Sequence, residues 1–192
     1  MIVMSNIFLT TGLCLLLLSG CTNSEEKKIS PSQPKTQRAG TPEETGAPYY
    51  QGLIEEYRAD IAEDPNNLAM LVALGNAYYD SGDWRNAISA YERALKIDPE
   101  NADVRTDMGT SYRNLGLPDR ALAEYRYVLK HEPGHLNARF NMGVVFAYDK
   151  KNYPAAIQTW EEILKMAPNN PQAEFLKSNI AELKKEHPKA EK

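Results

Sequence analysis

A period of 34 residues constrains this chain more than any other feature. The segments LAMLVALGNAYYDSGDWRNAISAYERALKIDPEN (68–101) and ADVRTDMGTSYRNLGLPDRALAEYRYVLKHEPGH (102–135) have that length, and LNARFNMGVVFAYDKKNYPAAIQTWEEILKMAPNN (136–170) carries one extra residue before Tyr153. Leu74-Gly75, Met108-Gly109 and Met142-Gly143 recur in register, followed by Tyr78, Tyr112 and Phe146. Ala87, Ala121 and Ala156 come next, then Tyr91, Tyr125 and Trp160, and finally Pro99, Pro133 and Pro168. A fixed period of this size marks a repeat architecture, in which stacked neighbours bury what one unit cannot bury alone.

Within each unit the apolar residues fall at i, i+3, i+4 and i+7, the spacing of two amphipathic helices. A mid-helix glycine costs about 1 kcal/mol against alanine, yet one recurs three times in register, which predicts close approach of the two helices in a hairpin. Asp83 and Asn152 stand where N-caps of the second helices belong. The small residue near the end of the second helix is Ala94 in the first unit but Val128 and Ile163 in the others, so local packing angles should differ. Two partial units flank the three. Residues 49–67 contain LIEEYRADIAEDP (53–65), which reads as a second helix alone, and 171–187 place Ala173, Leu176, Ile180 and Leu183 on one stripe, as a helix that caps the last repeat does. Residues 188–192 form a short tail.

These shared positions match the tetratricopeptide pattern, and the chain resembles that family over about three and a half repeats. The resemblance implies an all-α solenoid of αα-hairpins. It also resolves a misleading motif. His131-Glu132-Pro133-Gly134-His135 spells H-E-x-x-H, with which zinc proteases place two ligands and a base on one helix face. Here it aligns with EDPNN (63–67), IDPEN (97–101) and MAPNN (166–170), the joints between repeats. Proline pushes its predecessor out of the helical region, so the two histidines straddle a break, and His135 takes the place of the capping Asn67, Asn101 and Asn170. No metal site is expected, and a hydrolase built on HEPGH is the least favoured reading.

The amino terminus sets a location. An apolar run from Ile7 to Leu18 fits a signal-peptide core and is too short for the roughly 20 residues of a membrane span. The quartet Leu18-Ser19-Gly20-Cys21 resembles the lipobox of bacterial lipoproteins, in which the cysteine is acylated and becomes the new amino terminus. Residues 1–20 are thus expected to be removed and Cys21 to carry the lipid. Cys14 falls in the removed part, which leaves no disulfide framework. Several acyl chains on one residue anchor stably. Thr22, where an enterobacterial inner-membrane lipoprotein has Asp, implies the periplasmic face of the outer membrane, or failing that the outer face of the cytoplasmic membrane. Residues 21–48, rich in Pro, Ser, Thr, Glu and Lys, read as a disordered tether with a reach of about 30 Å. The net charge of −4, with acids and bases mixed, argues against nucleic acid as a partner.

No phosphate-binding loop or serine elbow is present, so the expectation is a protein without enzymatic activity, cofactor or small-molecule substrate. The tetratricopeptide resemblance implies instead that the first helices line a concave groove for protein segments. Carried over position by position, that groove comprises Ala69, Val72, Asn76, Tyr79 and Asp80 in the first repeat. The second supplies Asp103, Thr106, Asp107, Thr110, Arg113 and Asn114. The third supplies Asn137, Phe140, Asn141, Val144 and Tyr148, and the capping helix Phe175 and Asn179. Phe140 and Phe175, at equivalent positions, are expected to open apolar pockets, while Asn76 and Asn179 can bond a peptide backbone. The expected role is a membrane-anchored adaptor in assembly of an envelope machine (pilus, secretion or outer-membrane assembly). The alternative is a periplasmic chaperone that holds exported subunits.

Overall fold

The computed structural model describes residues 46–188, all within one compact unit. The signal peptide, the Cys21 anchor, the tether up to residue 45 and the tail from 189 lie outside the described residues. The described chain forms α1 (Ala47–Glu63), α2 (Leu68–Asp80), α3 (Trp84–Ile97), α4 (Ala102–Asn114) and α5 (Pro118–His131). There follow α6 (Leu136–Val144), extended by a π-helical turn over Val145–Asp149, then α7 (Tyr153–Met166) and α8 (Ala173–Glu186). The helices stack in chain order, each on its neighbours, as three hairpins (α2–α3, α4–α5, α6–α7) with single helices at either end. The architecture is the all-α repeat solenoid. Helix α1 begins inside the segment expected to be tether. Pro48 sits in its first turn, where a missing amide hydrogen costs nothing.

Local chemistry explains the helix starts. Asn67 and Asn101 accept the amide hydrogens of Met70 and Val104 at 3.2 and 3.1 Å, and Asp83 and Asn152 do the same for Asn86 and Ala155 at 3.2 Å. Each bond satisfies one of the four amides that a helix start leaves orphaned. Helix α5 opens on Leu117-Pro118 without a side-chain cap. Asn170 departs from its expected role: its side chain accepts from the Gln172 amide at 2.8 Å, and α8 starts only after Gln172.

The recurring glycines are packing positions. A β-carbon on Gly75 would overlap the Tyr91 ring, one on Gly109 would lie 2.6 Å from Tyr125, and one on Gly143 would overlap Trp160. Those three aromatics are the central core residues of their hairpins, buried to 1%, 0% and 1%. The core has two parts. One runs from Ile54 and Ile61 of α1 through α5 and takes in Ala138 and Val145; the other joins Phe140 and Val144 to Trp160, Ile163, Leu176 and Ile180. Helix α6 therefore lies between two apolar clusters and contributes to both.

The repeat joints are tied by arginines. Arg93 donates to the Pro65 carbonyl at 3.3 Å, Arg105 to that of Pro99 at 3.1 Å, and Arg139 to that of Pro133 at 2.6 Å. Arg105 and Arg139 also pair with Glu124 and Glu162 on the second helices.

Candidate protein-binding face

The five first-helix positions Thr106, Thr110, Phe140, Asn141 and Val144 were expected to line an open groove, and the structure corrects this. All five are buried. Phe140 stacks on Trp160, with ring centroids 6.4 Å apart and 28° between planes, and meets Phe175 at 6.1 Å. Its exposure is 8%, so it is a core residue and opens no pocket. The physical reason is that a first helix in this solenoid has neighbours on three sides: its own second helix, the second helix of the preceding repeat and the first helix of the following one. The stripe that looks free in one helix is covered by the next. Thr106 turns its hydroxyl onto the Ala102 carbonyl at 2.7 Å. Thr110 bonds to the Tyr125 hydroxyl at 3.1 Å and accepts from Asn141 at 3.2 Å. That chain of contacts satisfies polar groups which would be costly to bury alone.

The remaining expected residues stay accessible. Asn76, Asp103, Asn137 and Tyr148 are exposed, and Val72, Tyr79, Asp107, Arg113, Phe175 and Asn179 are half-buried. Near the carboxyl ends of the first helices, polar bonds link one repeat to the next. Asn114 on α4 donates to the Tyr79 hydroxyl of α2 at 3.3 Å. Arg113 on α4 pairs with Asp149 of the π turn at 2.6 Å. Tyr148 of the π turn donates to Asn179 on α8 at 3.2 Å. Three bonds thus run from α2 to α8 along one row. Asp149 was missed in the sequence. Counting the third repeat back from Asn152 pairs Asp149 with Asn114 and Asp80, and Tyr148 with Arg113 and Tyr79. The extra residue obscures that alignment when the count runs forward.

The π turn is how the extra residue is housed. Lys150 donates to the Val145 carbonyl five residues back at 2.9 Å, and Asn152 closes on Phe146 at 2.8 Å. Such turns insert one residue without breaking the helix. Its effect here is to place Tyr148, 46% exposed, and Asp149 at the rim of the row.

Burial, and after it nearby carboxylates, act on the phenols of the row. The Tyr79 phenol is pushed above its ordinary value by burial, with Asp107 and Asp80 adding to the effect and the bond from Asn114 opposing it. Tyr148 is raised by partial burial and by Glu182, with Arg113 opposing. Tyr91 and Tyr125 are raised further, chiefly by burial, so all four hydroxyls remain protonated donors at neutral pH.

The two histidines of HEPGH are occupied. His135 Nδ1 accepts from the Ala138 amide at 3.1 Å as the cap of α6, so Nε2 carries the hydrogen donated to Asp103 at 3.1 Å. His131 directs Nδ1 to the Tyr127 carbonyl at 2.8 Å and lies against the Tyr127 ring, 4.2 Å between centroids. Among the described residues no three His, Cys, Asp or Glu side chains are grouped as a metal site requires. Among the same residues no helix is long and apolar enough to cross a membrane.

The repeat signature, hairpin stacking and glycine–aromatic contacts agree with a family match: residues 50–174, well over half of the chain, fit the model of the cytochrome c-type biogenesis protein H TPR domain. The chain belongs to this tetratricopeptide family. Its tetratricopeptide fold is also seen in two solved structures. The crystal structure of MamA aligns at a TM-score of 0.61 and 19% identity, covering 78% of this chain and 92% of that one. A second crystal structure of the MamA protein aligns at 0.62 and 21%, covering 77% and 80%. A search of curated protein sequences returns no match.

Proposed function

We propose that this tetratricopeptide protein is a non-enzymatic, lipid-anchored adaptor of a bacterial cell envelope that holds a protein segment along its first-helix face. The observation that carries the reading is the row itself. Asn76, Tyr79, Arg113, Tyr148 and Asn179, from four successive units, are accessible on the first helices and the π turn, and Tyr79 is bonded by Asn114, Arg113 by Asp149 and Asn179 by Tyr148. A prebonded row loses little side-chain entropy on binding, and the exposed Tyr148 is the kind of residue that anchors interfaces. The lipobox-like LSGC ending at Cys21 supports the anchor, and the absence of Asp at position 22 favours the outer membrane. The family description names cytochrome c-type biogenesis, which makes proteins of that process the first partners to test.

The test is position-specific crosslinking in cells. A photo-reactive residue at Asn76 or Asn137 should capture a defined partner, whereas the same residue at Arg126, on the exposed side of α5, should not. Equal capture at all three positions, or capture at Arg126 alone, overturns the first-helix reading. Many weak clients in place of one partner favours the chaperone role. Membrane association should be lost with Cys21→Ala, and its persistence overturns the anchor.

A further inference from the structure

The first helices of the three repeats start on two kinds of cap. Asn67 and Asn101 turn a side-chain amide oxygen onto the Met70 and Val104 amides, at 3.2 and 3.1 Å, and such an oxygen accepts at any ordinary pH. Between the second and third repeats the acceptor is the Nδ1 of His135, 3.1 Å from the Ala138 amide. A backbone amide only donates, so Nδ1 fills this role only while it carries no hydrogen. Nε2 then holds the ring's hydrogen and gives it to Asp103 of α4 at 3.1 Å. The His135 side chain is only 10% exposed, so little water reaches the ring to replace a lost bond.

We infer that His135 makes this joint an acid-operated latch: a proton taken up at Nδ1 releases the first turn of α6, while the joints capped by asparagine stay closed. Imidazole is the side chain that ordinarily changes charge between about pH 5 and 8. Two effects oppose the protonated ring where it stands. Its new N–H meets the Ala138 N–H, two donors face to face, and its charge sits at the positive end of a helix. One effect favours it, the Asp103 carboxylate. That oxygen already receives the Nε2 hydrogen in the neutral state, so the proton adds only charge, and with Asp103 84% exposed water screens most of it. Of the other charged groups near the ring in the chain, His131 and Glu132 belong to the end of α5 and the joint. Arg139 lies one turn along α6 and is paired with Glu162 of α7. The bonds from the His135 amide to the Glu132 carbonyl at 3.0 Å and from Arg139 to the Pro133 carbonyl at 2.6 Å are ones that acid leaves in place. The opening is therefore confined to the first turn of α6, which carries the exposed Asn137.

The experiment is amide-resolved hydrogen exchange and imidazole nitrogen NMR on the full chain in detergent, at pH 7.5 and pH 5.0. At pH 7.5 the ring of His135 should show a bare Nδ1 and a protonated Nε2, and the opposite tautomer overturns the inference. On acidification the protection of the Ala138 amide, corrected for intrinsic exchange, should fall about fivefold more than that of the Val104 amide, the loss expected when a cap is removed. His135→Asn restores the cap used at Asn67 and Asn101 and should abolish that difference, and melting curves at pH 7.5 verify that the variant folds. Asp103→Asn should leave the difference in place, because the latch lies at Nδ1. Ala138 tracking Val104 in the unaltered chain, or an equal fall in His135→Asn, overturns the latch. So does a fall abolished by Asp103→Asn, which assigns the acid response to the carboxylate.

Discussion

The first two repeats and the third solve the same packing problem differently. In the first two, a buried tyrosine of the second helix fills the space above a glycine, and its hydroxyl must find a partner. Tyr91 donates to Asn76 at 2.8 Å, and Tyr125 bonds to Thr110 at 3.1 Å. In the third, Trp160 takes the tyrosine's place and sends its ring N–H to the Phe140 carbonyl at 3.2 Å. The main chain now satisfies the aromatic, so the position of Asn76 and Thr110 becomes Val144, buried to 2%. An apolar cluster with Phe140, Ile163 and Leu176 is built on that exchange. The helix exits differ too. Gly82 and Gly116 turn the chain with φ of +83° and +75°, whereas the third repeat exits through a π turn and Lys151 at φ +55°. One backbone period thus tolerates two chemistries, provided that the polar atom of the buried aromatic keeps a hydrogen-bond partner.

The sharpest way to break this comparison is to remove its apolar centre. Phe140→Ala should cost about 3–5 kcal/mol, as for a buried phenylalanine, while Tyr148→Ala, three residues beyond Val145, should cost less than about 0.5 kcal/mol. Urea melts of the two variants measure the difference, and a mild effect of Phe140→Ala contradicts its place in the core. Hydrogen exchange should show protection lost first in α7 and α8, since those helices share the second cluster. Uniform loss across α2–α8 means that the two clusters behave as one.

The next effect is steric. Gly109→Ala and Gly143→Ala should each destabilise by about 1–3 kcal/mol through overpacking, although alanine is the better helix former by about 1 kcal/mol. A neutral result at either site means that the facing ring can move aside. Of the two, Gly143→Ala should be the worse, because it overlaps a larger ring that is also tethered to the Phe140 carbonyl.

The smallest effect concerns the exits. Gly116→Ala places a β-carbon in the left-handed region and should cost about 1–2 kcal/mol. Lys151→Gly relieves the same strain and should stabilise by about 0.5–1 kcal/mol. Thermal melts that rank these two the other way show that the π turn, and not the residue after it, sets the energy of the third exit.

Much of the fold is legible from spacing because its causes are local. A cap needs an acceptor three residues before a free amide, so Asn67, Asn101, Asp83 and Asn152 could be placed from order alone, and His135 could be read as a cap where a zinc motif was spelled. The glycine–aromatic contacts were half legible: the recurrence signalled close approach, and only the packing showed that the approaching atoms are the rings of Tyr91, Tyr125 and Trp160. The accessible first-helix row was legible in part. Asn76, Tyr79, Arg113, Tyr148 and Asn179 stand where the repeat pattern put them, and Asp149 was hidden by the inserted residue.

What the sequence by itself determined is the unit: its length, its two amphipathic helices, its caps, and the proline joint that separates His131 from His135. These follow from covalent spacing and from backbone groups that seek partners within a few residues. The tertiary structure decided which face of each first helix stays open. Thr106, Thr110, Phe140, Asn141 and Val144 are closed off by side chains far away in sequence, Tyr125, Trp160 and Phe175 among them. It also decided that the extra residue becomes a π turn and not a longer loop, since Val145 and Phe146 pack against the core on one side of it and Arg113 and Asn179 hold Asp149 and Tyr148 on the other. Burial is a property of neighbours, and a single helix does not carry the identity of the helix that will cover it.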